Sequence, residues 1–530
     1  MPQKKKSPSK PLYSKKDIQH GPEHYSGPRL NPKLSLIAGA LLAVLSFWEL
    51  SVAGFSFNFW LEFIIGAIIL IPNSIYLLSG KGSPFGIPYL FTMLRTKKFV
   101  DIIIAASHHG KWMEKMSILG LLSGFGLVGV DYWYARPMGG LKRIACLVFS
   151  AIVLGAFYYF VLQILFSIPA LAPLFLISGI GFVIMGFGGM SLALIVGYAF
   201  LSILSLFTQS QICPSVAPVI PGVPIPGLGM MIPAIAWISL ALVLIIHETS
   251  HGVMMAYYKG KIKSVGLLLA GLIPVGAFVE QDDKTFWKLP KRKIVLALSA
   301  GPSSNVFTII VGLILLQGFY LAITPLAPSF DSEFNKMYDG VEIKSVQDTV
   351  SLCGLDYNAP AFGRFFAKDK VVSLNGVDIN GVAVLNRAFL DANGTMSFVV
   401  LREGKEVAVD VDPVHFKDLN VKRIGVEFAA ISTGYEPPMD ITLWQIILSS
   451  FNSIIIFLIL LSFAAGTFNF VPSWPLDGGY MAKIMFLPYF GFMKFKNDGE
   501  TATFIGRLFL WTFIAAMLLN LIPYITMLLW

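Results

Sequence analysis

The stretch Leu244-Ile245-Ile246-His247-Glu248-Thr249-Ser250-His251-Gly252 lies inside a segment that is otherwise apolar from Ala234 onward. In a helix the two histidines share one face, about one turn or ~6 Å apart along the axis, within reach of a single Zn²⁺. Glu248 sits beside them, placed to take a proton from an attacking water and pass it to a leaving amine, as a metalloprotease requires. Chance produces this pattern readily in long soluble helices. Here the three polar residues fall in a lipid-embedded segment, where ionisable groups are expensive and functional by default.

Composition supports the lipid setting. The 530 residues are 55% hydrophobic and 13% charged, with a mean hydropathy of +0.70, which excludes a disordered chain and an ordinary soluble globule. No cleavable signal pattern opens the chain, and its many long apolar runs predict a polytopic α-helical membrane protein. Three scattered cysteines, Cys146, Cys213 and Cys353, make neither a disulfide scaffold nor a Cys-rich zinc module, so a metal must use His and carboxylate. The net charge of +9 is concentrated in residues 1–33, where eight Lys or Arg stand against Asp17 and Glu23. That segment reads as a disordered cytoplasmic tail beside a span, not as a nucleic-acid-binding face.

Apolar spans are expected near 34–53, 58–79, 231–257, 294–324, 441–468 and 504–530, with further apolar segments near 116–135, 143–168, 172–188 and 190–208, not all of which need cross. Residues 209–230, rich in Pro and Gly, read as a structured connection at the membrane surface. Gly266 to Val279 is apolar but too short to cross, and contains Gly271, Pro274 and Gly276. It predicts a re-entrant hairpin, which is tolerated at membrane depth only where protein or a wet cavity satisfies its backbone, so it should line a site. In residues 333–428 charges return, and short alternating runs are separated by Asn375-Gly376, Asn393-Gly394 and Glu403-Gly404, the pattern of a soluble β-rich insert. Within it, Lys368 to Val377 resembles the strand and turn of a PDZ domain, and Met396 to Val411 supplies a following hairpin. No carboxylate-binding loop is evident, which leaves open whether the insert binds peptide ends.

A tetrahedral catalytic site wants a third protein ligand and an open fourth position. Far downstream, Asn469-Phe470-Val471-Pro472-Ser473-Trp474-Pro475-Leu476-Asp477-Gly478-Gly479 offers one, at the end of the next-to-last apolar region. The pairing of His-Glu-x-x-His with Asn-x-x-Pro-x-x-x-Leu-Asp-Gly, with a PDZ-like insert between, resembles the site-2 protease family of intramembrane zinc metalloproteases, and its compact core is similar to archaeal members. Ser299-Ala300-Gly301-Pro302-Ser303-Ser304-Asn305 resembles the family's Gly-Pro and Asn signature, and Pro274 to Glu280 its re-entrant β-segment. The likeness covers residues 231–530. It implies that His247, His251 and Asp477 bind zinc and that Glu248 is general base and then acid. Asn469, Asn305, Gly276 and Pro472 are expected to support the substrate or the transition state. For Asn469 a helix C-terminal cap, and for Asn305 an interhelical hydrogen bond, are the bland alternatives. Glu280 either contributes to the site or marks where the hairpin leaves the membrane.

The expected organisation is a tail (1–33), an N-terminal transmembrane extension of unassigned role (34–230), the first half of a protease core (231–332), the PDZ-like insert (333–428) and the second half (429–530). The other five histidines, His20, His24, His108, His109 and His415, read as surface residues, and Glu49 and Glu62 as interfacial. Lysines after Tyr258 and before Ile294 put both flanks of the hairpin on the cytoplasmic side and the insert outside. Counting from Met231 then puts His247 about 24 Å below the outer surface. That arrangement needs an odd number of crossings between residues 82 and 230, and Ser117 to Ala135 is the segment expected not to cross. Cys213 and Cys353 would both lie outside, as free thiols.

The function so predicted is hydrolysis of peptide bonds in membrane-spanning segments of substrate proteins, in regulated intramembrane proteolysis. Two rivals stand beside it: a non-catalytic receptor or adaptor that binds peptides through the insert, and a transporter. The first needs a fourth protein ligand for a closed metal site, and none is near; the second predicts inverted repeats, and none is seen.

Overall fold

The computed structural model describes residues 91–165, 172–208 and 220–529, the last interrupted at 223, 226–229, 271–272, 327, 329, 331, 334–335, 353–354, 417–420, 494 and 496. The tail with His20 and His24, the spans expected at 34–53 and 58–79 with Glu49 and Glu62, and both Cys213 and Cys353 lie outside the described residues.

Strand β1 (Phe91–Thr96) precedes helices α1 (Val100–Ala106), α2 (Gly110–Val130), α3 (Gly140–Leu165) and α4 (Ala172–Thr208). Helix α5 (Ala236–Tyr257) leads to strands β2 (Ile262–Ala270) and β3 (Ile273–Gln281) and then to α6 (Lys291–Ile323). A β-rich region follows with β4 (Tyr338–Val346), β5 (Lys370–Leu374), β6 (Val377–Asp378), α7 (Val382–Asp391), β7 (Met396–Arg402), β8 (Lys405–Val411) and β9 (Val426–Ser432). Helices α8 (Met439–Asn469), α9 (Asp477–Met485), α10 (Asp498–Leu519) and α11 (Ile522–Leu529) complete the described chain.

Seven helical stretches among the described residues are long and apolar enough to cross a bilayer: Val100–Ala135, Gly140–Phe160, Gly179–Thr208, Ala236–Tyr257, Lys291–Ile323, Met439–Asn469 and Asp498–Ile525. The chain is a multi-pass membrane protein. One expectation changes: Ser117 to Ala135 belongs to a stretch long enough to span. The runs at 172–188 and 190–208 both fall in α4, which has a non-helical residue, Gly186, close to where they divide. Among the described residues between 82 and 230, three stretches are long and apolar enough to span.

The chain divides into two compact units. The first comprises, among the described residues, those up to 194, 238–311 and 458–514. Its core joins Leu121 and Phe125 of α2, Met254 and Met255 of α5, Ile294 to Leu298 of α6, Phe470, and Met481, Ala482 and Met485 of α9. Close approach is achieved with small side chains, the usual device where lipid removes the hydrophobic drive between helices: the Ser299 hydroxyl of α6 donates to the Ser117 carbonyl of α2 at 2.9 Å. Helices α2 and α4 are each broken at a glycine, Gly126 (φ 55°, ψ −137°) and Gly186 (φ 68°, ψ −173°), and they meet at the breaks. A Cβ on Gly126 would come 2.7 Å from the Gly186 nitrogen, and L side chains rarely adopt either φ. Just before the α2 break, the Ser123 carbonyl accepts from the buried Tyr158 hydroxyl at 2.6 Å, which keeps a polar group from being stranded in an apolar setting.

The hairpin expected around Gly266 to Val279 is present as β2 and β3, paired from Ile262↔Gln281 to Ala270↔Ile273. A third strand was not legible in the sequence. β1 pairs antiparallel along β2 from Phe91↔Ala270 to Thr96↔Val265, giving the order β1-β2-β3. Glu280 braces all three strands, accepting from Ser264 at 2.6 Å and pairing with Arg95 at 3.4 Å and Lys263 at 4.0 Å.

The second unit comprises residues 195–237, 312–457 and those from 515 onward. It contains an antiparallel sheet of order β8-β7-β5-β4-β9, with β6 on β5 and α7 packed against β5 and β9. Alternating inward residues such as Val341, Ile343, Val371, Phe398 and Val400 fill its core. Two of the predicted turns have the positive φ pair of tight hairpin turns: Asn375 and Gly376 at 49° and 79°, Glu403 and Gly404 at 48° and 78°.

Candidate metal centre

One turn of α5 carries His247 and His251 on the same face, and the next residue, Gly252, has no side chain because Ile103 of α1 and Val279 of β3 pack there. The third group arrives from elsewhere in the sequence. After α8 ends at Asn469, the chain folds back so tightly that Gly478 and Gly479 lie against the backbone of Phe470, Val471 and Ser473. Asp477 thereby becomes the first residue of α9, where a carboxylate also suits the helix dipole.

His247 Nε2 and Asp477 Oδ2 are 3.2 Å apart, His251 Nε2 and Asp477 Oδ2 3.1 Å, and the two Nε2 atoms 3.2 Å. Four ligands held at 2.0–2.1 Å in a tetrahedron are spaced about 3.3 Å from one another. The three atoms therefore already form one face of such a tetrahedron. Among the described residues this is the group of His, Cys, Asp and Glu side chains able to share an ion.

Each imidazole is fixed through its other nitrogen. The Ala297 carbonyl lies 2.8 Å from His251 Nδ1, so that nitrogen carries the proton and Nε2 is bare for a cation. Asn305 faces His247 Nδ1 through its amide at 2.9 Å, while the Asn305 Oδ1 atom is buried without a hydrogen-bond partner. The two ends of an Asn amide are interchangeable by a half-turn. That turn gives the orphaned oxygen the His247 Nδ1 proton and leaves both Nε2 atoms as bare donors, the arrangement of metal-ligating histidines. Gly301 also leaves the two rings room: a Cβ there would come 2.6 Å from His247 Nε2 and closer still to His251 Nε2. On donor chemistry, spacing and room, the residues fit Zn²⁺.

Glu248 accepts from the Val279 backbone N–H at 3.2 Å, which ties it to β3 of the hairpin. The geometry thus brings together His247, Glu248, His251, Asp477 and Asn305. Other expected residues sit differently. Asn469 donates to the Ala465 carbonyl of its own helix at 3.0 Å, Pro472 is buried in the turn before α9, and Gly276 pairs with Leu268 in the hairpin. His108 and His109 are exposed, as expected of surface residues. Sequence reasoning missed the Ala297 carbonyl and the Val279 N–H, since main-chain groups leave no residue signature. Gly301 was inside a recognised motif, but its job of staying empty is visible only in three dimensions.

The sequence profile of Peptidase family M50 matches residues 235–513, more than half of the chain, and includes every group of the centre just described. An uncharacterized protein of the archaeon Methanocaldococcus jannaschii is 33% identical over 122 residues, which are 21% of this chain and 33% of that protein. The chain thus spans about a third of the length of that curated relative.

Proposed function

Since this chain belongs to Peptidase family M50, the site-2 protease family, we propose that it is an intramembrane zinc metalloendopeptidase that cuts membrane-spanning segments of other proteins, as in regulated intramembrane proteolysis. The observation that carries this reading is the triangle of His247 Nε2, His251 Nε2 and Asp477 Oδ2 with 3.1–3.2 Å sides, beside a carboxylate that is not one of its corners. Zinc, when bound there, polarises the scissile carbonyl and makes the attacking water acidic. Glu248 takes the proton of that water and returns it to the departing amine nitrogen. Ala297 and Asn305 hold the two imidazoles in the ligating tautomer. A structural metal site, which a receptor would need, is closed by a fourth protein ligand, whereas three groups converge here among the described residues.

A helical substrate hides its carbonyls in its own hydrogen bonds and must unwind before it can be cut. β2 is covered by β1, whereas β3 has no second strand partner among the described residues, so an unwound segment adds to the outer edge of β3. That edge includes Val279, whose N–H reaches Glu248, and the contact supports delivery of a substrate carbonyl to the catalytic side chain. In this reading the hairpin is re-entrant, with Gly276 on the receiving strand, while Pro472 and Asn469 shape the turn before Asp477. The β-rich region is a PDZ-like insert that filters substrates, outside the cell membrane, with the N-terminus inside. Residues 231–332 and 429–530 are the two halves of the core.

Glu248→Gln tests the mechanism: co-expressed with a single-span substrate, it should leave the substrate intact, and cleavage as fast as wild type would show the mechanism to be wrong.

A further inference from the structure

The family match begins at residue 235, yet α2 shares the core of the metal centre. Where α2 ends lies a carboxylate, Asp131, whose side chain is 1% exposed. Arg136 donates to its Oδ2 from two nitrogens at 3.1 and 2.9 Å, Arg143 to its Oδ1 at 2.7 Å, and the Tyr489 hydroxyl to its Oδ2 at 2.7 Å. Arg136 also donates to the Met485 carbonyl at 3.3 Å and lies over the rings of Tyr132 and Tyr489. Met485 is the last residue of α9, and Asp477 is its first.

The near end of α9 is gripped by the same N-terminal helices. Phe470, fully buried, meets Phe125 of α2 edge to face at 6.0 Å. Gly124 lies against its ring and Gly188 against its carbonyl, on either side of the crossing at Gly126 and Gly186. A helix of nine residues is about 12 Å from end to end, so a tilt of about 5° moves its first residue by about 1 Å. Metal coordination tolerates about 0.2 Å.

We propose that Asp131 is a positioning residue for Asp477: through Arg136 and Tyr489 its ion cluster fixes the far end of α9, so that the carboxylate at the near end meets the two histidines. The inference rests on the metal centre proposed above and gives the N-terminal helices a part in it.

The test uses the full chain in detergent, as wild type, Tyr489→Phe and Asp131→Asn, with two readouts: the zinc dissociation constant by competition with a coloured chelator, and the melting temperature of the zinc-free protein. Tyr489→Phe removes a single bond between Asp131 and the segment after α9, and should weaken zinc by about tenfold, as outer-shell partners do. Asp131→Asn should weaken it further. Wild-type zinc affinity in Tyr489→Phe overturns the proposal even if either variant melts earlier, because a merely structural cluster changes the melting temperature alone. If Asp131→Asn does not fold, Tyr489→Phe decides by itself. A wild-type chain that takes up no zinc in the same competition overturns the metal centre, and the positioning role with it.

Discussion

Replacing Gly301 with alanine adds one methyl group against both Nε2 atoms of the proposed metal centre. The new carbon would stand 2.6 Å from His247 Nε2, where ordinary contact begins near 3.4 Å, a shortfall of about 0.8 Å, and the overlap with His251 Nε2 is larger. Relief comes only from turning the imidazoles away or shifting α6 against α5. Overpacking of this kind costs about 1–3 kcal/mol, which, charged against the metal-loaded geometry alone, weakens zinc by about 5- to 150-fold even if all three ligands survive. Splaying of either histidine removes binding outright. The zinc-free fold should lose less, because alanine is the better helix former by about 1 kcal/mol and an imidazole that holds no ion can turn away at the cost of its Nδ1 hydrogen bond alone. Zinc per chain by elemental analysis, the zinc dissociation constant and the melting temperature of the zinc-free protein together decide the matter. One zinc per chain at wild-type affinity in Gly301→Ala would refute the placement of the ion between the two Nε2 atoms.

Two further outcomes follow from the same geometry. Asn305→Leu removes the partner of His247 Nδ1 while keeping bulk, and should cost about 10- to 100-fold in zinc affinity, read by the same chelator competition. Ala277→Pro removes a backbone N–H from β3, two residues from the Val279 N–H that points to Glu248 and so on the same outward edge. It should slow cleavage of a single-span substrate by about 2- to 10-fold, one lost hydrogen bond, with zinc affinity unchanged; full activity would argue against strand addition at this edge.

Much of this protein was legible before any coordinates. His247, Glu248 and His251 announce themselves because three polar side chains in an apolar span are hard to explain otherwise. Asp477 was found through the motif around it, and the β-rich region through turns such as Asn375-Gly376, whose positive φ angles the structure shows. What stayed hidden depends on contacts between distant segments. β1 reads as an unremarkable run, and only its pairing with β2 makes it part of a sheet. The glycines of α2 suggested a segment unfit to cross; one of them, Gly126, does break the helix where α4 comes against it, yet the stretch around it is long and apolar enough to span. Asp131 did leave a signal, a lone acid in an apolar stretch, and the rule that made Glu248 conspicuous should have marked it too.

The two histidines and the aspartate are 226 positions apart at their nearest, and this spacing orders events at the ribosome. A nascent chain that has emerged only through α6 has both imidazoles but not the carboxylate, and it lacks the turn at Phe470 that presents it. If the proposed function holds, the three ligands cannot come together until α9 has been made, and a translation product that stops short of it should bind no zinc and cut nothing.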